Sequence, residues 1–180
     1  MDYILNGFVE AFRLIFSFDP EIIQIVLLSL YVSFSSTLYA TLIGIPLGIL
    51  LGINDFKGKR IVSRLLYTFM SFPPVIIGLF TALFLARSGP FGELQLMYTP
   101  TAMIIAQTIL VTPVITGIIF NQAGTSGYEV VQTGKTLGAQ KWNILILLIL
   151  ELKSVIMIAL VTGFGRAISE VGAVMIVGGN

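Results

Sequence analysis

The sequence predicts an all-α polytopic membrane protein, and three observations carry that prediction. Of the 180 residues, 56% are hydrophobic and only 11% charged, against roughly 25% charged residues in soluble domains; mean hydropathy is +0.98. Apolar runs long enough for a helix to cross about 30 Å of hydrocarbon recur along the chain. Lys and Arg concentrate in two of the connections between those runs, as the positive-inside rule expects of cytoplasmic loops. The same composition excludes other classes. Without Cys there is no disulfide or thiol chemistry, and without His the usual general base and the commonest transition-metal ligand are missing. No catalytic residue, metal site or cofactor is therefore assigned to this chain, and a net charge of +1 argues against nucleic acid. The partner that composition demands is a lipid bilayer.

Taken in order, residues 1–19 place Ile4, Phe8, Phe12, Ile15 and Phe16 at helical spacing, interrupted by Glu10 and Arg13. This segment is too short and too charged to span, and suits an interfacial helix. The first span runs from about residue 22 to 53, longer than a membrane needs, so it should tilt, or bend at Pro46. Ser29, Ser33, Thr37 and Thr41 recur every four positions, followed by Gly44, Gly48 and Gly52, a pattern that lets another helix backbone approach closely. It fits packing within the chain or a homodimer seam.

Residues 54–64 carry Lys57, Lys59, Arg60 and Arg64, the densest positive cluster, and are expected in the cytoplasm, with the N-terminus outside. The second span, about 65–86, contains Ser71, Pro73 and Pro74; two prolines at membrane depth free carbonyls, which is tolerated where helices pack or line a wet cavity. The connection 87–100 is poor in charge and faces outward. A third span, 101–120, broken by Pro113, returns the chain to the inner side at residues 124–151.

That stretch is the longest polar interruption. Its centre reads Thr136-Leu137-Gly138-Ala139-Gln140-Lys141-Trp142, a short helix ending at Gly138, where a left-handed cap is cheapest, then a turn and a second amphipathic helix. Together they form a knob at the membrane surface. Gly134-Lys135-Thr136 imitates the end of a nucleotide-binding loop, but that motif needs Gly five positions before Gly134, and position 129 is Glu. ATP chemistry then belongs to another subunit. Glu151 and Lys153 would be expensive at mid-bilayer, so residues 142–150 read as an elbow along the inner surface and the fourth span as 152–172. Arg166 and Glu170, four residues apart, would share one face of it.

The knob resembles the cytoplasmic coupling loop of ATP-binding-cassette importer permeases. Aligned on Gly138, the family's Glu-Ala-Ala falls on Gln132, Thr133 and Gly134, with Glu129 one turn earlier, and its closing Leu-Pro falls on Leu150 and Glu151. The order of Gly44-Ile45-Pro46-Leu47-Gly48, Pro73-Pro74-Val75 with Gly78, Gly89-Pro90-Phe91-Gly92, the knob, and Gly165-Arg166 through Gly179-Asn180 is similar to the molybdate, tungstate and sulfate permeases. Glu151 and the ending Ser169 to Asn180 look most like the tungstate-type branch, in which a further transmembrane helix follows the Gly-Asn. The resemblance implies a homodimer with the oxyanion path on its axis, ATPase subunits beneath the coupling loops and an extracytoplasmic oxyanion-binding protein. It assigns ATPase coupling to Gln132, Thr133, Gly134, Leu137, Gly138, Ala139, Lys141 and Trp142, and makes Ser71, Pro73, Pro74, Arg166 and Glu170 pathway candidates. Two rival readings are an ATP-independent carrier or channel, which would use broken helices in the same way, and a membrane assembly or anchoring subunit.

Overall fold

A computed structural model describes Gly7 and residues 19–179. Apart from Gly7 and Asp19, the interfacial helix expected over 1–19 lies outside the described residues, as does Asn180. Among the described residues every regular element is helical: α1 (Pro20–Ile53), α2 (Lys59–Met70), α3 (Pro74–Leu85), a 3-10 turn (Gly92–Leu94), α4 (Pro100–Gln122), a π-helical turn (Ala123–Gly127), α5 (Tyr128–Thr136), α6 (Lys141–Ile168) and α7 (Gly172–Gly178).

Helix starts follow local chemistry. Asp19 accepts a hydrogen bond from the Glu21 amide at 2.9 Å and Pro20 opens α1; Thr99 does the same for Ala102 at 3.4 Å, with Pro100 opening α4. Each pairs a side-chain acceptor at the cap with a proline at the first helical position, where its missing N–H costs nothing. At the other end of α1, Lys59 Nζ donates to the Gly52 carbonyl at 2.7 Å and Asn54 Nδ2 to that of Leu50 at 2.7 Å, satisfying acceptors that a helix end leaves orphaned.

α4 is the axis of the molecule. It packs against α1, α2, α3, α6 and α7, and its Leu110, Val111, Ile115 and Ile119 form the middle of a core completed by Ala40 and Ile49 of α1 and by Leu148, Leu152, Ala159 and Ala167 of α6. The outward faces are also apolar: Leu42, Leu50, Leu83, Met157, Ile158 and Val161 are each more than half exposed. Apolar surface on that scale is costly in water, at about 25 cal/mol per Å², and costs nothing in hydrocarbon. Three helical stretches are long and apolar enough to cross a membrane, Pro20–Ile53, Pro100–Thr136 and Lys141–Ile168, and the bent pair Lys59–Met70 with Pro74–Leu85 supplies a fourth if counted as one span.

Several boundaries differ from expectation. The span at 65–86 is two helices meeting at 93°, because Pro73 and Pro74 in succession force the preceding residues out of helical geometry; Pro73 itself is extended, at φ −62° and ψ 125°. Pro46 and Pro113, by contrast, lie inside continuous helices. The third crossing does not stop at residue 120 but continues through the π-helical turn to Thr136. The elbow at 142–150 is the beginning of α6, which runs unbroken from Lys141: nothing in residues 142–152 breaks a helix, and Glu151 and Lys153 are both exposed on its surface. The helix expected to reach residue 172 ends at Ile168, and α7 starts anew at Gly172.

Candidate functional site

The glycines of α1 meet α4 in register. A Cβ on Gly44 would lie 3.0 Å from Ile115 Cγ2, one on Gly48 2.7 Å from Ile119 Cβ, and one on Gly52 2.7 Å from Ala123 Cβ, so both helices advance four residues per contact. Glycine is required here because side chains of the partner helix, joined at Gly48 and Gly52 by the Thr116 and Phe120 carbonyls, already occupy the space of a Cβ. The stripe is therefore packing within one chain, and a homodimer seam at these three positions has no room. Above the glycines the seam turns polar. Ser36, fully buried, donates to Gln107 Oε1 at 2.9 Å, and Gln107 Nε2 donates to the Ala167 carbonyl at 3.0 Å. One amide thereby ties α1, α4 and the last turn of α6. Gln107 is not among the residues that the motifs single out; its one sequence signal is being a lone amide inside the apolar run 102–119, since a buried polar group needs partners.

The knob is a helix-turn-helix. Gly138 sits at φ +70°, with its N–H on the Lys135 carbonyl at 3.1 Å and the Ala139 N–H on that of Gly134 at 2.9 Å. These two bonds are the Schellman closure of α5, which needs a left-handed residue at the Gly138 position. α5 and the π-helical turn before it are held against α6, where a Cβ on Gly134 would meet Ile144 Cγ1 at 2.8 Å and one on Gly127 would meet Leu148 Cδ1 at 3.0 Å. Gly134 is buried and Ala139 half-buried, whereas Gln132, Thr133, Leu137, Gly138, Lys141 and Trp142 are exposed. Leu137 and Trp142 are 79% and 68% exposed, an apolar pair on an otherwise polar knob.

At the far side of α4 the two helix breaks meet. A Cβ on Gly78 would lie 2.7 Å from Ala173 Cα, and one on Gly172 3.1 Å from Val75 Cγ2, so the starts of α3 and α7 are neighbours. Pro73 and Pro74 form one rim of this junction and Glu170 the other; Ser71 is exposed just before it. Glu170, Ser29, Ser33 and Gln107 border a cavity of about 300 Å³. The face shared by Arg166 and Glu170 is not realised. Helical register ends at Ile168, and Glu170 turns back so that its Oε1 accepts from the Ala173 amide at 3.3 Å. Arg166 Nε is buried without a hydrogen-bond partner, and the one salt bridge among the described residues joins Lys59 to Asp55 at 3.3 Å.

Apolar outward faces around a packed axis, an exposed knob and two helix breaks, one of them bordering a mainly apolar cavity with Ser29, Ser33, Gln107 and Glu170 in its wall, suit a membrane transport subunit. The chain belongs to the family described as "Binding-protein-dependent transport system inner membrane component", which it matches over residues 44–180. It is 52% identical to the tungstate uptake system permease protein TupB of Peptoclostridium acidaminophilum over 180 residues, covering 100% of this chain and 79% of the relative. It is 34% identical to the protein of that name from Campylobacter jejuni, over 100% of this chain and 75% of the relative. The molybdenum transport system permease protein ModB of Escherichia coli K12 is 28% identical, over 86% of this chain and 71% of the relative. The protein is accordingly a multi-pass membrane permease, and these comparisons give the carrier reading no support.

Proposed function

We propose that this chain is the permease subunit of an ATP-driven importer that moves tungstate, with molybdate as the neighbouring specificity, across the cell membrane. The observation that carries the proposal is the end-to-end 52% identity to a tungstate uptake permease. Separate ATPase subunits supply hydrolysis, and an extracytoplasmic oxyanion-binding protein delivers the cargo. The exposed Leu137, Lys141 and Trp142, with Gln132 and Thr133 on the adjoining helix, form the ATPase contact; Gly134, Gly138 and Ala139 shape it. Closure of the ATPase pair pushes the knob, and α4, continuous with α5, carries the displacement to the junction of broken helices.

There Ser71, Pro73, Pro74, Arg166 and Glu170 border the path in a homodimer. Arg166 offers a planar fork of donors that suits a tetrahedral dianion, and its buried Nε has no hydrogen-bond partner among the described residues. The basic connection at Lys57 to Arg64 and the knob face the cytoplasm, with Gly89 and the N-terminus outside; labelling of a cysteine placed at Gly58 by an impermeant maleimide added to intact cells would reverse this orientation. The function is tested in vesicles holding the permease with its ATPase and loaded binding protein. Tungstate should accumulate only with ATP, and accumulation that ignores ATP, or uptake of neither oxyanion, would overturn the assignment.

A further inference from the structure

α2 carries a charge pattern that its own fold leaves unbalanced. Its sequence KRIVSRLLYTFM contains three cations and no acid. Lys59 is committed, to the Gly52 carbonyl at 2.7 Å and to Asp55 at 3.3 Å. Arg60 and Arg64 are not: neither has a carboxylate within 4 Å among the described residues. They stand one helical turn apart, the spacing at which like charges repel, and Arg60 lies in the first turn, where the helix dipole also opposes a cation. Lys59, Arg60, Ser63 and Arg64 line a shallow, open depression of about 360 Å³ with Phe120 as its apolar wall, space large enough for a phosphate group beside these donors. The adjacent ridge of the same helix is Ile61, Leu65 and Phe69, each at least half exposed. A cationic ridge beside an apolar, membrane-facing ridge matches the headgroup and acyl chain of one molecule, whereas a free oxyanion would have no use for the second ridge.

We propose that this depression binds the phosphate of an anionic phospholipid at the inner membrane surface. Arg60 and Arg64 bind the phosphate oxygens, Ser63 adds a hydroxyl donor, and the acyl chains lie along Ile61, Leu65 and Phe69. The site also braces the break that follows: α2 is packed on the end of α4, where Tyr67 donates to Asn121 Oδ1 at 2.7 Å, and it leads directly into the bend at residues 71–73.

The test uses the permease assembled with its ATPase, released from membranes and examined by native mass spectrometry after exchange into phosphatidylglycerol or phosphatidylcholine of matched chains. Wild type should retain phosphatidylglycerol at least about tenfold better than phosphatidylcholine, and Arg60→Gln with Arg64→Gln should abolish that preference while the ATPase stays bound. Equal retention of both lipids by wild type overturns the proposal, and this arm needs no variant to fold. An unchanged preference in the double variant overturns it as well. Displacement of the lipid by millimolar inorganic phosphate or tungstate would assign the depression to a free oxyanion instead, and loss of the ATPase with lipid retention intact would assign it to a protein contact.

Discussion

A Cβ on Gly48 would lie 2.7 Å from Ile119 Cβ and 2.9 Å from the Thr116 carbonyl, whereas nothing lies within 4 Å of the same atom on Gly138. Gly48 has ordinary helical φ and no space; Gly138 has unlimited space and a φ of +70°. One position is glycine because of its neighbours and the other because of its backbone. The seam between α1 and α4 is therefore intolerant of any side chain, while the knob is intolerant only of side chains that resist the left-handed region. That contrast fits a rigid interior joined to a surface left free to meet a partner.

The strongest way to break the comparison is Gly48→Val. A β-branched side chain must part the two most extensively packed helices, at a cost of about 3 kcal/mol, the upper part of the range for overpacking. The expected outcome is a large fall in the detergent melting temperature and in folded yield, and a wild-type melting curve would show that the seam is looser than its geometry. Gly138→Val is the counterpart at the knob, with strain of about 1–2 kcal/mol confined to the turn. Folded yield should persist while ATPase capture or ATP-driven uptake falls, and Gly138→Asn, which visits the left-handed region more readily, should recover most of it. If Asn and Val behave alike, backbone handedness is not what the position requires.

The smallest effect sharpens the description of the seam. Gln107→Leu removes the amide that joins three helices, yet Ser36 retains the Ser33 carbonyl at 3.1 Å and the Ala167 carbonyl retains the Glu170 amide at 3.2 Å. With alternatives in place the cost should be about 1 kcal/mol, read as a modest shift in melting temperature. A collapse as severe as that of Gly48→Val would mean that the polar tie, not glycine packing, holds α1 to α4.

Much of this was legible in the residues. The four-residue glycine period announced a close helix contact, and Gly138 with its flanks announced the cap, because both signals are local. What escaped depended on where helices stop. The cost of charge at mid-bilayer pointed to a start at residue 152, but Glu151 and Lys153 sit on the exposed surface of a helix that had already begun at Lys141. Spacing paired Arg166 with Glu170 on the premise of an unbroken helix, and the interruption at Ser169–Val171 removed that premise. The partners of Gln107 depend on which carbonyl the end of α6 brings beside it, and only the fold supplies that.

The continuity of α4 with α5 through the π-helical turn has a mechanical meaning. Residues 100–136 form one helical rod, and at Ala123 it lies close against Gly52, where an added Cβ would come within 2.7 Å of Ala123 Cβ and 2.8 Å of the Phe120 carbonyl. Taking that contact as a fulcrum, the arm toward Thr136 is roughly 20 Å long and the arm toward Pro100 roughly 35 Å, at 1.5 Å per residue. A push of given size on the short arm then swings the long arm nearly twice as far, and in the opposite sense. Spin labels at Leu137 and Thr101, each measured against a label on α1, should shift in opposite directions when ATP binds; displacement of both in the same direction would mean that the rod slides and does not pivot.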